Sequence, residues 1–537
     1  MFSWNFVQKN STVLIIFVVL VTIIYGASLS GDFVYDDREI LNNREMLSTP
    51  QGLSQAVLTP FWTPESGLYR PVTVLSYAFN FMTLGNSSFG FHFINILLYI
   101  SICLFIYLLI KKLFENEVIA FAVALIFLVL PIHTEVVANI TGRSELLALM
   151  FSLLALLEMA QIKPKFWLLG IWTLLSIGSK ETGLATLPLV LLVMFIKERS
   201  LTINVLKKYF RELASMVIAI EFYLVLRFFS LGSANFLGVK TTIIENPLMF
   251  TDMWSRIATA FKVLSMYVSK MIFPINLCSD YSFNQIPIIH NLSDIGAVFG
   301  LLIFLSSIFL VVFYLNKKPL ISFGLSIFIF SFLPVSNIFF PTGTIAGERL
   351  FFYPSFGFSI IFGYLLYKTI IIFKKENARK IILTVFWIII VIYTIRSTQR
   401  QSVWLTEERL FTSASICAPK SVIARSNMGA IYLLRGNLEK AEEELIYAMN
   451  IRPTYSKGIN NLGLVYFKQG NLAKARELYL EALRQEFPYQ GAAENLSALH
   501  LAQDNYEMAR HWLLYLYPNN TEDVDEFLIN YKSQNIK

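Results

Sequence analysis

The segment Gly31-Asp32-Phe33-Val34-Tyr35-Asp36-Asp37-Arg38 sets two adjacent carboxylates just past the first hydrophobic run of a chain that otherwise avoids charge. Carboxylates beside a hydrocarbon boundary cost free energy unless they are solvated or used, so Asp36 and Asp37 are the first candidates for chemistry, and their place suggests a lipid-borne substrate. Further polar residues gather in segments expected on the same face: Trp62 and Tyr69-Arg70-Pro71 in residues 31–90, then Pro131, His133, Glu135, Asn139, Arg143 and Glu145, then Ser179-Lys180-Glu181 and Gly347-Glu348-Arg349. Transfer of a group away from a phosphate needs such a set: a base to take the acceptor's proton, and cations to stabilise charge developing on the departing phosphate. Read singly, each has a plainer role. The aspartates could cap a helix, His133 could end one, and Arg143 could pair with Glu145. Lys180-Glu181 could mark a hairpin and snorkel to the interface. Arg349 could be an orientation mark, although a cation there runs against the positive-inside rule.

The elements that must position these residues are mostly apolar. Of 537 residues, 55% are hydrophobic and 15% charged, against about 25% charged in soluble domains; the chain is read as an integral membrane protein. Its net charge of +7 sits in short segments between apolar runs, as topogenic loops require, without the basic, aromatic-interleaved stripe of a nucleic-acid binder. Cys103, Cys278 and Cys417 are scattered and imply neither a zinc site nor a disulfide framework. Apolar runs long enough to cross about 30 Å of hydrocarbon begin near residues 12, 92, 117, 143, 165, 182, 213, 295, 319, 351 and 380, about eleven spans. The first reads as an uncleaved anchor rather than a signal peptide. Residues 256–273 carry Arg256, Lys262 and Lys270 and read as an amphipathic helix in the outer interface, with a crossing as the alternative. Lys and Arg in the remaining short loops put the N-terminus in the cytoplasm, and the odd count then puts the C-terminal part outside with Asp36.

After Arg400 the composition turns polar. Asn427, Gly429, Tyr432, Gly436, Ala441 and Ala448 recur 34 residues later as Asn461, Gly463, Tyr466, Gly470, Ala475 and Ala482, the period of tetratricopeptide (TPR) helix pairs. A third copy keeps Asn495 and Ala509 but has Ser497 for the glycine and His500 for the tyrosine. The expected fold is all-α: a polytopic helix bundle over 1–400, with residues 31–90 as its first external loop, then a TPR α-solenoid over 401–537 of about three repeats plus caps.

In this order, Asp36-Asp37, Tyr69-Arg70-Pro71, Phe91-His92-Phe93-Ile94-Asn95, Pro131-Ile132-His133-Thr134-Glu135, Gly142-Arg143-Ser144-Glu145, Ser179-Lys180-Glu181, Gly347-Glu348-Arg349-Leu350-Phe351-Phe352-Tyr353-Pro354 and the repeats, the chain resembles the transmembrane-and-TPR protein O-mannosyltransferases, within the GT-C class of polyprenyl-phosphate-sugar-dependent glycosyltransferases. The resemblance implies transfer of a sugar, mannose in this family, from a polyprenyl (dolichyl) phosphate to Ser/Thr hydroxyls of proteins on the extracytoplasmic face, with inversion. The family's acidic motif falls on Asp36 and Asp37, one of which would be the general base. His133, Arg143, Glu145, Lys180 and Arg349 are the candidates to bind the donor's phosphate and sugar, and the repeats would hold the acceptor. No metal is required by that chemistry, although Asp36, Asp37 and His133 could gather around a divalent ion. The membrane would be bacterial, archaeal or endoplasmic reticulum. The competing class is a non-catalytic membrane-anchored TPR scaffold; a transporter is disfavoured because no paired interrupted spans occur near the midplane.

Overall fold

The computed structural model describes residues 4–42, 47–62, 66–236, 241–290, 293–486 and 489–535. The described residues are 79% helical, with no strand among them. It divides into two compact units, Met1–Ser279 with Pro287–Leu410, and Asp280–Ile286 with Phe411–Lys537.

In the first unit, seven helices among the described residues are long and apolar enough to cross a membrane: Asn10–Ser30, Ser88–Phe114, Ile140–Met159, Phe210–Ser233, Ile295–Tyr314, Glu348–Ile372 and Glu376–Leu405. The chain is thus a multi-pass membrane protein. An eighth candidate is the bent pair Glu117–Val129 and Pro131–Ala138, which turns by 54° where Pro131 can donate no backbone hydrogen bond. The expected eleven full spans are not confirmed. At the other three positions lie Phe166–Ser179, Thr186–Glu198 and Pro319–Phe332, helices of 14, 13 and 14 residues; at 1.5 Å per residue these reach only about 21 Å. Helix Met253–Ile272 is not among the full-length apolar helices. Its buried face is Ala258, Phe261, Leu264, Tyr267 and Met271, spaced three or four apart as an amphipathic helix requires, and Lys262 on its other side pairs with Asp294 at 2.9 Å. Close helix crossings use small residues, the membrane substitute for a hydrophobic driving force: a Cβ on Gly357 would lie 2.3 Å from the Gly324 carbonyl oxygen. Cys103 is a buried free thiol, whereas Cys278 is disulfide-bonded, a bond that the scattered cysteine spacing does not imply.

The segment after the first span folds into short helices Pro50–Leu58 and Pro71–Leu84. Ile40, Phe61, Val74, Tyr77, Phe81 and Phe91 close a separate apolar core there, so this segment is a folded cap rather than a loose loop.

The second unit is built from the pairs Val422–Leu434 with Leu438–Ile451, Ser456–Lys468 with Leu472–Gln485, and Gln490–Leu501 with Tyr506–Leu516, followed by Thr521–Asn535. The 34-residue period has a physical reading at each position. Asn437, Asn471 and Asn505 cap the second helix of each pair by accepting from Lys440, Lys474 and Met508 N–H. Gly436 and Gly470 take φ of +73° and +82°, and in the degenerate third copy Asp504 holds that place at +55°. A Cβ on Gly463 would meet the Tyr479 ring at 2.7 Å.

Candidate active site

The turn carrying the two aspartates is tight. Val34 is extended, Tyr35 sits at φ +53°, and Tyr35–Asp37 forms one turn of 3₁₀ helix leading into Arg38–Asn42. With three residues per turn, neighbouring side chains diverge by about 120°, so Asp36 and Asp37 face different surroundings. Asp37 is fully buried. Its Oδ1 accepts from Thr141 N–H at 2.9 Å, and its Oδ2 from Val34 and Ile140 N–H at 3.2 and 3.4 Å. Burial pushes this carboxyl up to about 7; the three N–H donors oppose the rise, and the Asp36 charge adds to it. Asp37 therefore latches the turn to the start of the Ile140–Met159 helix. Asp36 points the other way: its side chain is 31% exposed, and its Oδ2 accepts from Arg349 Nη1 at 3.0 Å.

Arg349 opens the Glu348–Ile372 segment and faces two acids. Its Nε lies 3.7 Å from Glu135 Oε1, and its backbone N–H donates to Glu135 Oε2 at 3.0 Å. The Glu135 side chain is only 5% exposed, so it anchors the arginine from behind while Asp36 meets it from the open side. Two further ion pairs stand near. Lys180 and Glu145, both buried, pair with one another. Burial pulls the Lys180 ammonium below its usual range; Glu145 opposes this, and the Arg70 and Arg349 charges reinforce it. Arg70 pairs with Glu181 at 2.9 Å. Burial raises the Glu181 carboxyl, but the Arg70 guanidinium outweighs it and leaves the group below the ordinary carboxylate range. A cavity of about 160 Å³ is lined by Glu39, Ile40, Phe61, Trp62 and Tyr77 among others, and the Arg70 guanidinium lies over the Phe61 ring at 5.0 Å.

Two residues singled out for donor binding sit elsewhere. His133 is fully buried, with Nδ1 2.8 Å from the Tyr99 hydroxyl and Nε2 2.7 Å from the Ser355 hydroxyl; both ring nitrogens are engaged inside the helix packing. Arg143 is also fully buried. It donates to Asn95 Oδ1 at 2.9 Å, Asn80 Oδ1 at 2.5 Å, and the Phe91 and Ser76 carbonyls at 2.8 and 3.2 Å, and its guanidinium lies over the Tyr77 and Phe91 rings. Four of its five donors are spent on joining three helices. The plainer alternative, a pairing of Arg143 with Glu145, gives way to these contacts, because Glu145 turns to Lys180. Among the described residues no group of three or more His, Cys, Asp or Glu side chains could hold a metal ion, so Asp36, Asp37 and His133 do not gather. Glu135 was the partner that the sequence reading underused; the signal was a cation, Arg349, placed against the charge rule and therefore in need of a buried acid.

The family description "Protein O-mannosyl-transferase TMTC, DUF1736" matches residues 240–308, and a tetratricopeptide repeat matches 456–486. Protein O-mannosyl-transferase F38B6.6 of Caenorhabditis elegans is 32% identical over 457 residues, covering 83% of this chain and 63% of that protein. Protein O-mannosyl-transferase TMTC4 of Homo sapiens is 28% identical over 468 residues, 77% of this chain and 63% of its own. Protein O-mannosyl-transferase TMTC1 of Homo sapiens is 26% identical over 484 residues, 81% and 54%. The chain thus spans less than two thirds of the length of these relatives. A matched segment at 240–308, a matched repeat at 456–486 and similarity along most of the chain make it similar to the transmembrane-and-tetratricopeptide-repeat proteins named protein O-mannosyl-transferase.

Proposed function

We propose that this chain is a membrane glycosyltransferase that moves mannose from a polyprenyl phosphate carrier to Ser or Thr hydroxyls of proteins on the extracytoplasmic face. One observation carries the reading: Asp36 and Arg349, 313 residues apart in sequence, meet at 3.0 Å with both side chains 31% exposed, whereas Asp37, Glu135 and Glu145 are buried. A base must be reachable by the acceptor, and of these acids Asp36 is the reachable one. The names of the relatives supply mannose and protein as the sugar and acceptor class.

The step is one displacement. The acceptor oxygen gives its proton to an Asp36 carboxylate oxygen and bonds to the anomeric carbon. The bond from that carbon to the carrier's phosphate breaks, its electron pair leaves with the phosphate, and the anomeric configuration inverts. The transition state is oxocarbenium-like, as in other glycosyl transfer. Arg349 receives the phosphate, its planar fork being suited to two phosphate oxygens, and in doing so releases Asp36 to act as base. Lys180, within electrostatic reach of Arg349, is the second cation. Asp37 and Arg143 hold the turn and the helices around it, and His133 packs beneath. The TPR unit binds the acceptor polypeptide. The test is transfer of labelled mannose from polyprenyl phosphate mannose into acceptor protein by the full chain in membranes: Asp36→Asn is expected to abolish it at equal expression. Undiminished transfer by Asp36→Asn would remove the carboxylate mechanism. A cellular phenotype that survives the Asp36→Asn/Asp37→Asn double variant but is lost on deleting 403–537 would favour the scaffold reading.

A further inference from the structure

Asp36 stands on a backbone that does not hold itself. Tyr35, immediately before it, occupies the left-handed region at φ +53°, which a residue with a Cβ rarely adopts unless its surroundings impose the conformation. Asp37 supplies the restraint on one side, through Val34 N–H and the 140–141 peptides. On the other side stands an acid that the mechanism above does not use. Glu407 accepts from the Tyr35 backbone N–H through Oε1 at 3.3 Å, and its Oε2 pairs with the Arg38 guanidinium. Two residues earlier, the Leu405 carbonyl accepts from Asp32 N–H at 2.9 Å. Donors at positions 32, 35 and 38 are thus gripped by residues 405 and 407, and Asp36 lies inside the gripped stretch. The Glu407 side chain is 17% exposed and that of Arg38 63%, so the charge pair alone contributes little to folding; what it supplies is direction.

We infer that Glu407 is a positioning residue for the proposed transfer, clamping the Tyr35–Arg38 turn from outside so that the Asp36 carboxylate meets the acceptor hydroxyl and Arg349. The inference rests on Asp36 being the base. A plainer role exists, since Glu407 opens the helix Glu407–Cys417 and an acid there favours the helix dipole; that role predicts a change in stability and none in the chemical step.

The experiment uses the full chain reconstituted in lipid, with polyprenyl phosphate mannose and an acceptor protein, and measures kcat, donor and acceptor KM and thermal midpoint for Glu407→Ala, Glu407→Gln, Arg38→Ala and the Glu407→Ala/Arg38→Ala double variant. Misplacing a reacting group by about 1 Å costs roughly 100-fold, so Glu407→Ala is expected to lose about 10- to 100-fold in kcat with donor KM within about threefold. Glu407→Gln, whose amide oxygen still accepts from Tyr35 N–H, should recover most of the rate. The double variant should be no slower than Glu407→Ala, because the two side chains act as one unit. Hydrogen exchange of peptides covering 33–40 should quicken in Glu407→Ala and not in Glu407→Gln. A Glu407→Ala rate within twofold of wild type while Asp36→Asn is inactive overturns the inference alone, as does a kcat loss that merely follows a lowered thermal midpoint with no recovery in Glu407→Gln. A wild-type rate in Asp36→Asn overturns the underlying reading, and this inference with it.

Discussion

Replacing Asp36 and Asp37 one at a time by Asn separates two neighbouring acids to which the structure gives different surroundings. Asn at 36 can still accept the 3.0 Å hydrogen bond from Arg349 but can take no proton from an acceptor. Loss of a general base costs about 10²- to 10⁴-fold, or about 2.7 to 5.4 kcal/mol on the barrier at 1.36 kcal/mol per tenfold. The ion pair it weakens is 31% exposed at both side chains, and pairs of that exposure contribute at most about 1 kcal/mol to folding, so the thermal midpoint should barely move. Asn at 37 inverts the pattern. Its single carbonyl oxygen replaces two carboxylate oxygens that together accept from Thr141, Val34 and Ile140, and the new amide group points at least one N–H toward another N–H. A buried donor left unsatisfied costs about 1 to 3 kcal/mol, a loss in stability exceeding any loss in rate per folded molecule. The assay is single-turnover transfer of labelled mannose by purified full-length chain, normalised to folded protein and run beside a thermal melt. The reasoning is refuted if Asp36→Asn keeps its rate within tenfold of wild type, or if Asp37→Asn loses transfer at an unchanged midpoint.

Three further outcomes follow from the same contacts. Arg349→Lys keeps the charge but loses the fork that faces Asp36 and Glu135, so donor KM should rise about tenfold, read from initial rates at varied donor; an unchanged KM would take Arg349 out of phosphate binding. Arg143→Lys leaves several buried acceptors among Asn80, Asn95, Ser76 O and Phe91 O without donors and should cost roughly 3 kcal/mol or more, seen as loss of folded protein in detergent; a stable, inactive Arg143→Lys would restore it to the donor site. Burial holds the Asp37 carboxyl at about 7 against an ordinary 3.8, so between those values the native chain takes up a proton that the unfolded chain does not. The resulting stabilisation is fully present below about 4 and lost as pH rises through 7; the thermal midpoint should show that component, and Asp37→Asn should lack it.

Much of this protein is written locally. The repeat unit follows from residues that act on their nearest neighbours: Asn437, Asn471 and Asn505 capping the helix just after them, and Gly436 and Gly470 supplying the left-handed link. The pool of polar residues was legible too, because acids and cations in an apolar chain stand out. Which of them can act was not legible, since burial is a property of packing. Asp36 and Asp37 are indistinguishable neighbours in the sequence; the tight turn and the arrival of residues 140–141 make one a latch and leave the other open. His133 and Arg143 have the right chemistry for a phosphate, yet Tyr99, Ser355, Asn80 and Asn95 occupy their nitrogens. The count of eleven full spans is not confirmed for a related reason. Hydropathy reports that a run is apolar, whereas the length of helix drawn from it depends on breaks such as those around Lys180 and Pro131 and on neighbours that shelter a short helix.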